Sequence, residues 1–451
     1  MLARYFTASH YRPWHRRVWV MALPLILSNM ATPLLGMVDT AVVGHLDSPH
    51  YLGAVALGAM VFSLIFWGFG FLRMGTTGLV AQSVGADDYA EVRAHLIRAL
   101  MIAVTIGVLL IVLQKPIAWL AFTITEASEA VKTEGKGYFA ARIWGAPASL
   151  ANYCLLGWFL ALNRTGTILA LQLVLNGTNI ALDLLFVVGW GMTADGVGYA
   201  SMIAEYTALA LGIFLVIRTL RHMPGTVHRA DLMNPVAFKR LFVINRDIII
   251  RTLCLQCGFL WFMAQSGQIS DITLAANAVL IQFLYFASYA LDGFAATTET
   301  LAGRAKGQNS REDLDTAFAI TSLWALAFGL GFSVIYGLAG PSIIGLLTGL
   351  PDVQQEAVRY LPYLLIIPAI SVAAFQLDGV FLGTTATRPL RNGMIISLIS
   401  FLATGYGMIG PLANHGLWIA MAVLLCMRGI TLALAYPALR RSIDNVYPTR
   451  D

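Results

Sequence analysis

The sequence predicts an all-α membrane protein of twelve transmembrane helices in two pseudo-symmetric six-helix lobes. Three observations carry this. The chain is 58% hydrophobic and 12% charged, where soluble domains run nearer 25% charged. Apolar runs of about 20 residues, the length needed to cross the hydrocarbon of a bilayer, recur along the whole chain, whereas a membrane β-barrel would show alternating segments of about 10 residues. Finally, strings of the first half return in the second at nearly one offset. Leu52-Gly-Ala-Val-Ala56 matches Leu274-Ala-Ala-Asn-Ala278, Thr76-Thr77 matches Thr297-Thr298, Gly85-Ala-Asp-Asp matches Gly307-Gln-Asn-Ser, and Gly157-Trp-Phe-Leu160 matches Gly379-Val-Phe-Leu382.

Hydropathy places the spans at 17–43, 52–83, 92–114, 138–162, 166–189 and 196–220 in the first half. In the second half they fall at 239–265, 272–304, 312–337, 356–384, 390–410 and 415–439. Six spans is an even number, so the two copies enter the membrane in the same direction, as parallel repeats. The N-terminal lobe is residues 1–222, the basic segment 223–238 is a cytoplasmic linker, and the C-terminal lobe is 239–451. The connection 115–137 contains Glu126-Ala-Ser-Glu129-Ala-Val-Lys132, which reads as a short helix on the membrane surface.

Most of the 29 Lys and Arg residues fall on the cytoplasmic side when both termini are inside. Lys115, Lys132, Lys136, Arg142 and Arg359 are left for the outer side, and the reverse orientation would invert that bias. The basic N-terminus leads into an apolar run too long for a cleaved signal peptide. The net charge of +5 is small, and the basic residues lie in membrane loops, so nucleic acid is not implied. Cys154, Cys254, Cys257 and Cys426 all sit inside apolar runs and read as small packing residues.

The polar residues inside spans carry the functional signal, because a carboxylate in hydrocarbon costs on the order of 3 kcal/mol. Asp39 lies near the outer end of the first span. Asn179 and Asp183 are four apart in the fifth, and Ser201 and Glu205 four apart in the sixth, so each couple shares a helix face. Direction of travel puts Asp39, Asn179, Asp183 and Ser201 at similar depth on three helices. Periodicity alone does not say that they face one another. In the second half Gln256, Asp292, Glu299 and Asp378 are the polar candidates. Arg73, Arg251 and Arg428 either snorkel to the inner face or pair inside the bundle. Pro24 and Pro33 each remove a backbone donor from the first helix and weaken it.

Several of these strings resemble one family. The opening span with its proline and Asp39, the run Leu52-Gly-Ala-Val-Ala-Leu-Gly58 and the stretch from Arg73 to Asp88 are similar to the multidrug and toxic compound extrusion (MATE) family over nearly the whole chain. The strings from Pro33 to Val42, Gly44 to Pro49, Asn245-Arg-Asp-Ile and Leu291-Asp-Gly-Phe294 resemble its bacterial DinF branch. The resemblance implies two six-helix lobes in a V with a central cleft. It also implies an antiporter that expels amphipathic, often cationic, drug-like compounds by alternating access, with H⁺ or Na⁺ as coupling ion and no cofactor. A monomer in the bacterial cytoplasmic membrane is the expected state.

The resemblance further implies that Asp39, Asn179, Asp183 and Ser201 form a proton or cation network, with Glu205 a further member or a structural acid. A threonine is the commoner residue at the position of Ser201. Two carboxylates sharing a low-dielectric pocket do not both ionise cheaply, which makes the pair a proton acceptor. The family bends at the proline matching Pro24, so Pro24 is the expected hinge, with Pro33 as a second candidate. Asp378 matches an aspartate that joins a glutamate of the seventh span in sodium-coupled relatives. Here that span offers only Gln256, which favours H⁺. Met30, Met37, Phe66, Tyr153 and Tyr289 are the candidate substrate-lining residues, since Met and aromatics adapt to amphipathic compounds.

Other classes find less support. A membrane enzyme would need a metal or nucleophile cluster, and Asp87-Asp88 reads as a solvated helix end. No phosphate-binding glycine loop is present for ATP. A lipid-linked precursor flippase would favour a strongly basic cavity, whereas the Arg and Lys residues here sit mostly at helix ends.

Overall fold

The computed structural model describes residues 11–443 except 45, 47, 126, 227–231 and 233. The side chains of residues 32–35, 37 and 40 also lie outside the description, and with them the candidates Pro33 and Met37. The described residues are helical and contain no strand, as the sequence predicts.

Helix α1 is Arg12–Val43 and runs without interruption through Pro24. Next come α2 (Pro49–Gly68), α3 (Phe71–Gly85), α4 (Tyr89–Val112), α5 (Gln114–Ile124), α6 (Glu129–Arg142) and α7 (Ala146–Ala161). The N-terminal series closes with α8 (Thr165–Asp183) and α9 (Ala194–Leu220). Beyond the linker are α10 (Pro235–Ile269), α11 (Asp271–Gly307), α12 (Arg311–Leu347), α13 (Pro351–Gly383), α14 (Thr387–Leu412) and α15 (Asn414–Ser442). Serine hydroxyls start several of these by accepting from backbone N–H groups, Ser270 from Thr273 at 3.0 Å and Ser310 from Asp313 at 3.1 Å.

Ten helical stretches among the described residues are long and apolar enough to cross a membrane, α2 and α3 together counting as one. The other two expected spans are α1 and the couple α6–α7, joined by the 3₁₀ turn Ile143–Gly145. The connection 115–137 differs from expectation. The short helix there is α5, which exposes Trp119, Leu120 and Ile124. Ser128 caps α6 by accepting from the Val131 N–H, and from Glu129 on the chain is the beginning of the fourth span. Lys132, Glu134 and Lys136 lower the hydropathy of that stretch without stopping the helix.

The internal repeat is visible in backbone detail. Asp87 and Asn309 both adopt φ +54°, and Asn163 and Thr385 adopt φ +59° and +52°, so each half turns through left-handed residues at corresponding places. Gly157 and Gly379 are also equivalent. A Cβ on Gly157 would lie 2.5 Å from the Arg73 carbonyl oxygen and 3.2 Å from Thr76 Cβ; one on Gly379 would lie 3.2 Å from Thr298 Cβ. In both halves glycine lets the helix before the turn press on the threonine-bearing helix.

The chain forms two compact units, one of residues 27–239 and one of residues 1–26 with 240–451. The N-terminal boundary falls at Ile26, just beyond Pro24, so α1 contributes to both. In the first unit α9 packs on α6 and α8, α7 on α3 and α4, and α2 on α6. In the second unit α13 packs on α11, α12 and α15, and α14 on α15. The core of the second unit includes Phe262, Phe283, Tyr336, Phe401 and Trp418. Within it the start of α1 is held by Trp19, whose ring meets Trp324 at 4.9 Å and Phe294 at 6.1 Å. Gly293 leaves room for Ile26, where a Cβ would approach the Ile26 nitrogen to 3.1 Å.

Candidate functional site

The polar face of α8 repeats at helical spacing: Gln172, Asn176, Asn179 and Asp183. Gln172 Nε2 donates to Asn176 Oδ1 at 3.2 Å, and Asn176 Nδ2 reaches the Ala31 carbonyl of α1 at 3.5 Å. Asn179 is buried and its Nδ2 lies 3.5 Å from Ser201 Oγ on α9. Asp183 ends the regular part of α8, is fully buried, and has the half-buried carboxyl of Asp39 as its neighbour. Among the described residues neither Asp183 oxygen nor Asp39 Oδ1 meets an N–H or hydroxyl donor. Two carboxyl groups hydrogen-bond to each other when one of them carries a proton.

Directly after Asp183 the helix widens into one π turn, Leu184–Gly189, where the Trp190 N–H bonds to the Leu185 carbonyl at 2.9 Å. Such turns carry one residue more than an α turn and occur often at functional sites.

Glu205 belongs to a second branch. Asn152 Nδ2 of α7 donates to its Oε2 at 2.8 Å and to its carbonyl at 3.0 Å. Arg142 lies at the C-terminal end of α6. It donates to the Tyr138 hydroxyl one turn earlier and lies 5.1 Å from the centre of the Phe62 ring. Its charge acts on Asp39, Asp183 and Glu205. Because α6 begins at Glu129, Arg142 lies about 20 Å along the helix from its start.

The structure thus brings Asp39 to Asp183 and Asn179 to Ser201, and gives Glu205 its own partner. Sequence reasoning missed Asn152, Tyr138 and Arg142. The available signals were the i,i+4 spacing of Tyr138 and Arg142 and the serine cap at Ser128.

The second unit holds a separate charged cluster. Asp378 Oδ2 accepts from Arg251 and, at 2.6 Å, from Arg428. All three residues are buried and cluster with Gly393 and Met394 of α14. Of the alternatives for these two arginines, pairing inside the bundle is what occurs. Asp292 is half-buried and its charge acts on Arg428, while Gln256 and Glu299 are buried on α10 and α11. Among the substrate-lining candidates, Met30 and Tyr153 are half-buried and Phe66 is buried in the first unit; Tyr289 is half-buried in the second.

The MatE family model matches residues 24–185 and again 248–408, one match in each half. The chain belongs to the MATE family. It is 41% identical to DNA damage-inducible protein F of Escherichia coli K12, over 93% of this chain and 91% of that one. It is 21% identical to a probable multidrug resistance protein NorM of Halalkalibacterium halodurans, over 94% of both chains. Among solved structures, an outward-facing multidrug resistance MATE family transporter superposes with a TM-score of 0.87 at 18% identity, covering 96% of this chain and 97% of the other. The two matched repeats agree with the paired turns and paired glycines, and the fold is the twelve-helix, two-lobe fold of MATE transporters. The protein is a multi-pass membrane transporter of the multidrug and toxic compound extrusion family and not an enzyme.

Proposed function

We propose that this MATE transporter is an H⁺-coupled antiporter that exports amphipathic and cationic compounds by alternating access. It works as a monomer in the bacterial cytoplasmic membrane with both termini inside. The observation that carries the reading is the neighbourhood of Asp39 and Asp183. The half-buried carboxyl of Asp39 on α1 adjoins the fully buried one of Asp183 on α8, and neither Asp183 oxygen nor Asp39 Oδ1 has another donor; the group that satisfies such a pair is a proton. Losing that proton leaves like charges in contact, which drives the helices apart. Gaining it converts an acceptor into a donor. Asn179 and Ser201 are the partners that re-form hydrogen bonds in either state, and Glu205 is the further acid of the network.

The second unit supports H⁺ over Na⁺. Asp378 is already bonded to two guanidinium groups, so its carboxylate is committed and Gln256 supplies no charge. Pro24 is the proposed hinge of α1. This is supported by the boundary between the compact units at Ile26, and by the anchoring of Trp19 and Ile26 against α11 and α12. Pro33 is a second proposed bending point. Met30, Met37, Phe66, Tyr153 and Tyr289 are the proposed contacts for substrate, with Asp292 and Glu299 as further polar contacts.

The test is proton release from the purified transporter in weakly buffered detergent solution on adding ethidium, with and without sodium. Wild type is expected to release protons without sodium, and Asp39→Asn to release none. A strict sodium requirement would refute the choice of ion, and undiminished release from Asp39→Asn would refute the site.

A further inference from the structure

We propose that the hydrogen bond between His15 of α1 and Trp324 of α12 is a pH-sensitive anchor, which holds the start of α1 on the second unit and releases it when His15 is protonated. Its effect on transport rests on the H⁺-coupled reading above and on the hinge at Pro24. Trp324 Nε1 lies 3.0 Å from His15 Nδ1, and the two rings meet edge to face at 6.1 Å. An indole N–H only donates, so His15 Nδ1 presents a lone pair and the proton of the neutral ring sits on Nε2. The imidazolium form carries a proton on both nitrogens. Two donors then point at each other and the bond is gone. The anchor is therefore present while His15 is neutral and lost as pH falls through its titration. Histidine is the side chain that changes charge between about pH 5 and 8.

One turn further along α1, Trp19 packs on the Trp324 ring at 4.9 Å and on Phe328 at 5.7 Å. Two successive turns of α1 thus grip the same indole. Val18, Met21 and Ala22 of this stretch are buried, and the stretch ends at the unit boundary, Ile26, two residues past Pro24. A bend at Pro24 needs the segment before it to be held, and His15 and Trp19 hold it. The titratable and charged groups around the contact come from three helices. On α1 they are Tyr11, Arg12, Arg16 and Arg17, the last with its guanidinium over the Trp14 ring at 5.5 Å. On α12 they are Asp313 and Asp315, eleven and nine residues before Trp324 and so about 17 and 14 Å away along the helix; Asp315 is paired with Arg440 at 2.7 Å. On α11 the acid is Glu299, five residues past the Phe294 that meets Trp19 at 6.1 Å. The Nδ1 side of His15 itself meets an uncharged partner. With the N-terminus inside, His15 lies on the cytoplasmic side, where an antiporter that carries H⁺ inward lowers the pH. Release of the anchor there is a feedback brake, which slows the transporter as the cytoplasm acidifies.

The test is fluorine NMR of the purified full-length protein labelled with fluorotryptophan, titrated in detergent from about pH 5 to about pH 8. The Trp324 resonance is the one missing from Trp324→Phe, or from Trp324→Tyr should the first not accumulate. In wild type it is expected to move along a single histidine titration curve. In His15→Gln it is expected to stay in place, because an amide oxygen accepts from the indole at every pH. A wild-type resonance that does not titrate, or one that titrates equally in His15→Gln, overturns the inference; this readout needs neither substrate nor coupling ion. The second measurement is ethidium export from cells whose cytoplasm is clamped at about pH 7.5 and then at about pH 6. The wild-type rate is expected to fall about three- to tenfold more than that of His15→Gln, the scale of one hydrogen bond. Equal falls in the two would overturn the feedback role. A Trp324 resonance that titrates in wild type alone, in a protein that releases no protons on adding ethidium, would keep the anchor and be a failure of the H⁺-coupled reading instead.

Discussion

Asp378→Asn removes the one anion that holds two arginines together inside the second unit. The change keeps the size of the side chain and removes the charge. Arg251 and Arg428 then face each other, buried, across a neutral amide. Breaking a buried ion pair by removing one partner costs about 3–5 kcal/mol, and here two cations lose their partner at once. Arg428→Gln is milder, because Asp378 keeps its bond from Arg251. For a chain of this size each kcal/mol lowers the unfolding midpoint by about 1–2 °C, extrapolating from smaller domains. Asp378→Asn should therefore lower it by roughly 5 °C or more in detergent, followed by intrinsic tryptophan fluorescence. Arg428→Gln should lower it by about half as much. Replacing all three residues together by Met, Leu and Met should recover most of the loss, since apolar groups of similar volume often substitute for a buried triad. An Asp378→Asn midpoint within about 1 °C of wild type, or an Arg428→Gln loss as large as that of Asp378→Asn, would refute the reasoning.

Three further outcomes follow from the first unit and from α1. Gly293→Leu would drive a side chain into Ile26 and should lower the unfolding midpoint by several degrees, a loss of about 1–3 kcal/mol; unchanged stability would show that α1 is not pinned there. Asn152→Leu deprives the Glu205 carboxylate of its 2.8 Å donor and should cost about 1–3 kcal/mol, while Glu205→Gln in the same background should recover part of it; measured midpoints that simply add would remove the coupling. Ser201→Thr keeps the hydroxyl that Asn179 approaches and should leave ethidium export in sealed vesicles within about twofold, whereas Ser201→Val should reduce it several-fold; equal rates for the two would exclude the hydroxyl.

The spans and the repeat were legible because both are local signals. An apolar run and a returning string need no knowledge of neighbours. The same holds for Asn179 with Asp183 and for Ser201 with Glu205, where helical spacing alone aligns the side chains. Arg142 was missed for a definite reason. Lys132, Glu134 and Lys136 depress hydropathy before the fourth span, so the expected span began at 138 and Arg142 sat only one turn from its start, whereas the helix begins at Glu129. Asn152 was missed because one amide in an apolar run carries no sign of its partner; Glu205 lies 53 positions away. Asp378 stood with three arginines as potential partners. Choosing Arg251 and Arg428 over Arg73 requires knowing that side chains of α10, α13 and α15 meet, and sequence spacing does not supply that.

The wide turn Leu184–Gly189 has a consequence for chain length. It stores one residue beyond what a regular helix needs, directly downstream of Asp183. Deleting a single residue there leaves an ordinary α turn available, so the loss can be absorbed in place. Everything before it, Asn179 and Asp183 included, would keep its face, and the loop at Gly191, in a left-handed conformation, would keep its place after it. A single deletion upstream, between Gln172 and Asn179, has no such reserve and would swing the amides away from α1 and α9. The transporter is therefore tolerant of length change on the C-terminal side of Asp183 and intolerant on the N-terminal side.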